Sequence, residues 1–171
     1  MSHITRWFDR KFEPSFPMEL LPNLHARLRG TPARLEETLR GSPPEVLTAK
    51  PDGQWSAQEQ AGHLFDLEPL WLARVEDFVT GRDHLTSADL TNRKTDEADH
   101  NLQPLEQILS GFRAARQTLL SRIEALDALF LSCELTHPRL KTPMRLADHL
   151  HFVAEHDDHH LARIYELVSS R

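Results

Sequence analysis

The chain has little of what several protein classes depend on. Of its 171 residues only Cys133 is a cysteine, so no internal disulfide can form and the composition suits a reducing compartment, the cytoplasm. It has one tyrosine, few β-branched residues and no sustained period-two alternation, which argues against a sheet. No apolar run exceeds four residues, as in Leu70 to Ala73, whereas a membrane span needs about 20. The opening MSHITRWFDRKFEPSF lacks the apolar core of a signal peptide. Net charge is −6 and no basic stretch stands apart from acids, so nothing draws the chain to phosphate backbones and nucleic-acid binding is not expected.

What the chain does have is helical periodicity and histidine. The first helical stretch runs from about Met18 to Arg40, with Gly30-Thr31-Pro32 expected to kink or break it. The second opens at Ser56, where Glu59 completes a capping box. It carries Leu64, Leu67, Trp71, Val75 and Phe78 on one stripe and stops at Gly81. The third runs from about Leu102 to Leu126, and the fourth from the cap-and-proline pair Thr142-Pro143 to about Val168. Residues 82–101 are polar and aperiodic, long enough for a crossover or a functional loop. Four amphipathic helices with one long connection describe an all-α four-helix bundle. Residues 18–171 form that bundle. The aromatic lead-in of residues 1–17 (Trp7, Phe8, Phe12, Phe16) is expected to pack across it or against a partner subunit.

Eleven histidines are present. His156 and His160 are four apart and stack on one helix face, a spacing at which two imidazoles can grip one ion. At about 100° per residue both lie along one border of the apolar stripe, and His63 lies at the edge of the second helix's stripe. If these helices are antiparallel, His63 and the pair sit at nearly the same height. If they are parallel, about 10–15 Å separates them. Three imidazoles on one rim make an open-coordinate metal site of the catalytic kind. The competing readings are a non-catalytic bundle that binds metal or a small ligand or dimerises, and histidines that are only polar rim residues.

The other candidates follow from position. His159 points off the stripe toward the surface, and His149 lies about 10 Å along the axis from His156, too far for the same ion. His137, His151, His25, His3 and His84 have no partner at ligand spacing. His100, at the end of the crossover, can reach a ligand in the cavity and is the candidate cofactor-binding residue. Asp157 falls near the middle of the apolar face, where a bare carboxylate is costly. It either accepts the free N–H of a ligand histidine or pairs with a buried arginine or an N–H group, and it is the candidate general base. Asp66, three residues after His63, reads as an exposed carboxylate or, like Asp157, as an acceptor for the free N–H of a ligand histidine. Trp55 and Trp71 read as core, and Cys133 as an inert thiol in an apolar setting.

The segment WSAQEQAGHLFDLEPLW, followed about ninety residues later by HFVAEHDDHHLARI, resembles the DinB/YfiT-like family of metal-binding four-helix bundles. The resemblance spans nearly the whole chain from about residue 18. It implies up-down-down-up connectivity with the crossover between the second and third helices, and metal ligands at His63, His156 and His160. It further implies zinc or nickel, a homodimer, and action on a small molecule. That action is either a transferase reaction using a low-molecular-weight thiol or a hydrolase reaction using water.

Overall fold

The computed structural model describes residues 4–169. In chain order its regular elements are α1 (Leu21–Arg40), α2 (Pro44–Leu47), α3 (Ala57–Thr80), α4 (Arg93–Glu97), α5 (Leu105–Glu124), β1 (Glu134–Thr136), β2 (Pro143–Arg145) and α6 (Leu146–Ser169). The four long helices α1, α3, α5 and α6 form the bundle.

Contacts along each helix interface give the directions. Between α3 and α6 they run Gln60 to His160, Trp71 to His156 and Phe78 to His149, one number rising as the other falls, so this pair is antiparallel. Between α3 and α5, Glu68 meets Arg116 and Glu76 meets Arg122, both rising, so this pair is parallel. Thr31 with Asp157 and Arg34 with Asp158 make α1 parallel to α6. Arg29 with Glu124 and Arg40 with Glu106 make α1 antiparallel to α5. The result is an up-down-down-up bundle. A parallel α3–α5 pair cannot be joined by a tight turn, which is why residues 82–104 must travel back along the bundle.

Local chemistry sets the ends of α3. Ser56 Oγ accepts from Glu59 N at 3.1 Å, and Glu59 Oε2 accepts from Ser56 N at 2.8 Å, so the capping box forms. Gly81 ends the helix at φ 67°, a left-handed geometry that glycine adopts without a Cβ penalty.

Several expectations from the sequence are corrected. Helix α1 is continuous through Gly30-Thr31-Pro32. Proline has no N–H to offer the Leu28 carbonyl, but Arg116 Nη1 reaches across from α5 and donates to that oxygen at 3.2 Å. Pro143 belongs to a strand, not to a helix start. Three-residue β1 and β2 pair antiparallel, and α6 begins only at Leu146. The crossover contains a helical turn, α4, entered through Asn92 at φ 55°. Cys133 is exposed.

Apolar residues form two clusters, one around Leu28, Val75, Leu119 and Val153, the other around Leu35, Leu64, Phe112 and Ile164. Between them lies a buried polar layer. Arg116 Nη2 donates to Glu68 Oε1 at 2.6 Å, Arg116 Nη1 donates to Asp157 Oδ2 at 2.6 Å, and Thr31 Oγ1 donates to the same Asp157 oxygen at 3.0 Å. The lead-in lies along α6. Phe16 N donates to Asp148 Oδ1 at 2.8 Å, Arg145 Nη2 donates to Phe16 O at 2.8 Å, and Arg10 pairs with Glu155.

Candidate metal centre

Antiparallel α3 and α6 bring His63, His156 and His160 to one level. All three are buried, and one ring nitrogen from each lies within 4.8 Å of the others. The Nε2 atoms of His156 and His160 are 3.1 Å apart, and the His63 ring centroid is 4.7 Å from that of His160.

Hydrogen bonds fix which nitrogens are free. His160 Nδ1 lies 2.6 Å from Gln60 Oε1. A carboxamide oxygen only accepts, so Nδ1 carries the hydrogen and Nε2 keeps its lone pair. His63 Nδ1 lies 3.0 Å from Thr95 Oγ1, and that hydroxyl donates to Asp66 Oδ2 at 2.9 Å. With its one hydrogen spent on the carboxylate, Thr95 must accept from His63 Nδ1–H, leaving His63 Nε2 free. Outer hydrogen bonds of this kind orient the histidine ligands of metal sites.

Burial also keeps the rings uncharged. It lowers the pKa of His63 to about 4, against an opposing pull from Asp66, and holds His156 and His160 well below the usual imidazole value, with the neighbouring histidines adding to the effect. Three neutral imidazoles converging in a buried pocket form a donor set suited to zinc, nickel or a related divalent ion.

The three rings sit in the wall of a cavity of ≈ 280 Å³. Most of the remaining wall is apolar, with Trp7, Trp55, Leu67, Trp71 and Phe152 prominent. Trp7 meets His156 edge-on at 5.0 Å between centroids, so the lead-in closes one side of the site. Trp55, expected in the core, lies 4.7 Å from the His63 ring and donates from Nε1 to Asp96 Oδ1 at 2.8 Å.

Asp157 is not placed as a general base. It is buried in the polar layer, where Arg116 and Thr31 engage its carboxylate, and it does not line the cavity. The arginine-pair alternative is what the structure shows. Its position one residue after His156 turns it toward α1 and α5, while His156 faces α3. His100 likewise does not line the cavity; its ring packs over Gly62 and its Nε2 lies 2.8 Å from Asp66 Oδ2. It supports the Asp66–Thr95–His63 chain from behind. Asp66, read as exposed, has a nearly buried side chain.

His159 is half-buried against Trp7, and His149 is fully buried near Trp71 and Phe78. His137, which has no partner at ligand spacing in the sequence, lines the cavity. Gln60 and Thr95 were missed. Gln60 lies one helical turn before His63, a spacing that places it on the same face. Thr95 sits in an aperiodic loop and left no such signal.

Residues 27–164 match the model of the DinB superfamily. No curated protein matches the sequence. Among solved structures the chain is similar to YfiT from Bacillus subtilis, described as a probable metal-dependent hydrolase with an unusual four-helix bundle topology. The two are 20% identical, with a TM-score of 0.81 over 94% of this chain and 93% of that one. With most of its length matched and the whole bundle shared, the chain belongs to the DinB superfamily.

Proposed function

We propose that this protein is a divalent-metal-dependent enzyme that activates water, or in a second form a low-molecular-weight thiol, for attack on a small electrophilic substrate. The observation carrying this reading is the convergence of three buried, neutral imidazoles at the wall of an apolar cavity. His63, His156 and His160 would hold zinc or nickel. Such an ion, when bound, acts as a Lewis acid that lowers the pKa of coordinated water to about 7 and favours the thiolate form of a thiol.

The remaining work falls to the chain's own residues. Gln60 and Thr95 hold two of the rings in the tautomer that exposes Nε2. Neutral rings leave the cation's charge uncompensated, so an anionic nucleophile is favoured there. Trp7, Trp71 and Phe152 exclude bulk water and thereby strengthen every electrostatic interaction inside. Cys133 is exposed and outside the cavity wall, so a thiol in this reaction is exogenous. The water form is supported by similarity to YfiT, the thiol form by the family resemblance of the two histidine-bearing segments. We further propose a cytoplasmic homodimer.

The test is metal analysis of untagged protein, followed by turnover assays. Wild type is expected to carry about one ion per chain, and the His63→Ala/His160→Ala variant none. Ester and amide substrates, then electrophiles with each cellular thiol, are assayed before and after chelation. Metal content unchanged in the double variant, or turnover indifferent to chelation, overturns the proposal. Bound metal with no turnover across the panel identifies the non-catalytic binder instead.

A further inference from the structure

The cavity has a second polar pole, away from the histidine triad. Trp7 contacts both His156 and Phe152, at 5.0 and 5.1 Å between centroids, and Phe152 contacts His137 at 5.2 Å. Beyond those two apolar rings the wall is formed by His137, Pro138 and Arg139. These residues begin the turn that joins β1 to β2. It is closed by His137 N donating to Thr142 O at 3.0 Å and Lys141 N donating to His137 O at 2.9 Å.

Two features of this wall point to an anionic ligand. The first is a tautomer conflict. The backbone N–H groups of Arg139 and Leu140 both donate to His137 Nδ1, each at 3.2 Å, which puts the neutral ring's one hydrogen on Nε2. That N–H faces Arg74 Nη1, another donor, at 3.4 Å. Two donors directed at one place are both satisfied by an acceptor set against them.

The second feature is unbalanced charge. Among the described residues Arg139 forms no ion pair. Its guanidinium lies over the Phe8 ring at 5.3 Å, half-buried. The one acid in the cavity wall among the described residues, Asp89, is already engaged by the Thr91 N–H and hydroxyl and by Arg93 N. Behind the wall, Asp77 binds Arg82 and Thr86 N and also offsets the charge of Arg74, whose Nε donates to Thr86 O. A partly desolvated cation such as Arg139 without a matching carboxylate is costly, and a ligand's carboxylate offsets that cost. Burial and the nearby arginines hold His137 at a pKa of about 3, so the ring stays a neutral donor.

We infer that the cavity binds a small carboxylic acid with an apolar, aromatic-sized body, its carboxylate held by Arg139 at the His137 end and its opposite end directed toward His63, His156 and His160. This rests on the same cavity being the substrate site proposed above. Arginine suits the role because its planar fork matches a carboxylate bidentately. The ≈ 280 Å³ of the cavity compares with the roughly 150 Å³ that admits benzene in an apolar protein cavity, which leaves room for a ring with a short acidic tail.

The test uses metal-free, chelator-treated protein, so that no carboxylate can bind through an ion. Intrinsic fluorescence reports binding, since Trp7, Trp55 and Trp71 all line the cavity. The probes are 4-phenylbutyrate and its neutral isostere 4-phenylbutyramide. Wild type is expected to prefer the acid by at least about tenfold, the scale of one charge-assisted hydrogen bond. Arg139→Gln should reduce the preference below about twofold, while Arg139→Lys keeps part of it. Equal affinities in wild type, binding of neither probe, or a preference untouched by Arg139→Gln overturns the inference. The His63→Ala/His160→Ala protein separates the two proposals. If acid preference persists while wild type itself binds no metal, the metal reading fails and the carboxylate subsite stands. If wild type binds metal but the acid preference is missing, the subsite fails and the metal reading stands.

Discussion

The Thr95 hydroxyl lies 3.0 Å from His63 Nδ1 while donating its hydrogen to Asp66 at 2.9 Å. A side chain from the crossover therefore decides which nitrogen of an α3 histidine faces the other two rings. Replacing Thr95 with valine keeps the shape and removes the acceptor. The expected result is a 10- to 100-fold (about 1.4–2.7 kcal/mol) loss of zinc affinity by calorimetry, the usual scale for such orienting partners, with serine restoring it. Unchanged affinity in Thr95→Val would show that His63 needs no orientation.

Asp157→Asn separates a structural role from a chemical one. The aspartate shares Arg116 with Glu68 in the buried layer, where burial, assisted by Asp157 and opposed by Arg116, pushes the Glu68 carboxyl up to about 7. Breaking such a pair costs about 3–5 kcal/mol, to be read as a lowered urea midpoint. Metal content should stay at the wild-type level, and turnover per folded molecule should change little. A variant of full stability with abolished turnover would return Asp157 to the role of base.

Acid should destabilise the metal-free protein. The folded rings of His63 and His137 titrate at about 4 and about 3, and those of His149, His156 and His160 lie well below the ordinary value, all chiefly through burial. The unfolded chain takes up these protons near pH 6.5. It therefore binds more protons than the native state below that pH, and stability falls as pH drops from about 6.5 toward 4. Glu68 acts in the opposite sense, its raised carboxyl costing stability as pH rises from about 4.5 to 7, but one carboxyl stands against five rings. Urea midpoints at pH 7.5, 6 and 5 should fall in that order, and a flat or reversed series contradicts the burial of neutral imidazoles.

Gly62→Ala probes the back of the same network. A Cβ at that position would meet the His100 ring inside the closest approach real side chains tolerate, whereas one at Gly41 meets nothing within 4 Å. Gly62→Ala should cost about 1–3 kcal/mol by overpacking and displace His100 from Asp66. Gly41→Ala should be nearly silent. Thermal melts of the two variants check the difference.

Most of the bundle could be read from the sequence because its information is periodic. The stripe of α3, the Ser56–Glu59 box and the four-residue spacing of His156 and His160 each follow from helix geometry, and the equal height of His63 follows from counting turns once the two helices are antiparallel. The readings that failed depended on contacts between distant segments. Pro32 reads as a helix breaker until Arg116 supplies the bond that proline cannot. Asp157 was placed correctly on a buried face, but no periodicity reveals that Arg116 waits there. Thr95, His137 and Arg139 sit in irregular segments whose side-chain directions are set by φ/ψ and by the surface they land on, so no one-dimensional pattern marks them.

The same-direction run of α3 and α5 has a consequence for diversification. It obliges the chain to carry a long return segment past the mouth of the cavity, where residues 87–90 and Asn92 form part of the rim. Rim residues on such a segment can be exchanged or lengthened without disturbing helix packing, because loops tolerate change that a scaffold does not. Two proteins can then keep the same three imidazoles and the same bundle while accepting differently shaped molecules, and selectivity becomes a property of the connection rather than of the helices.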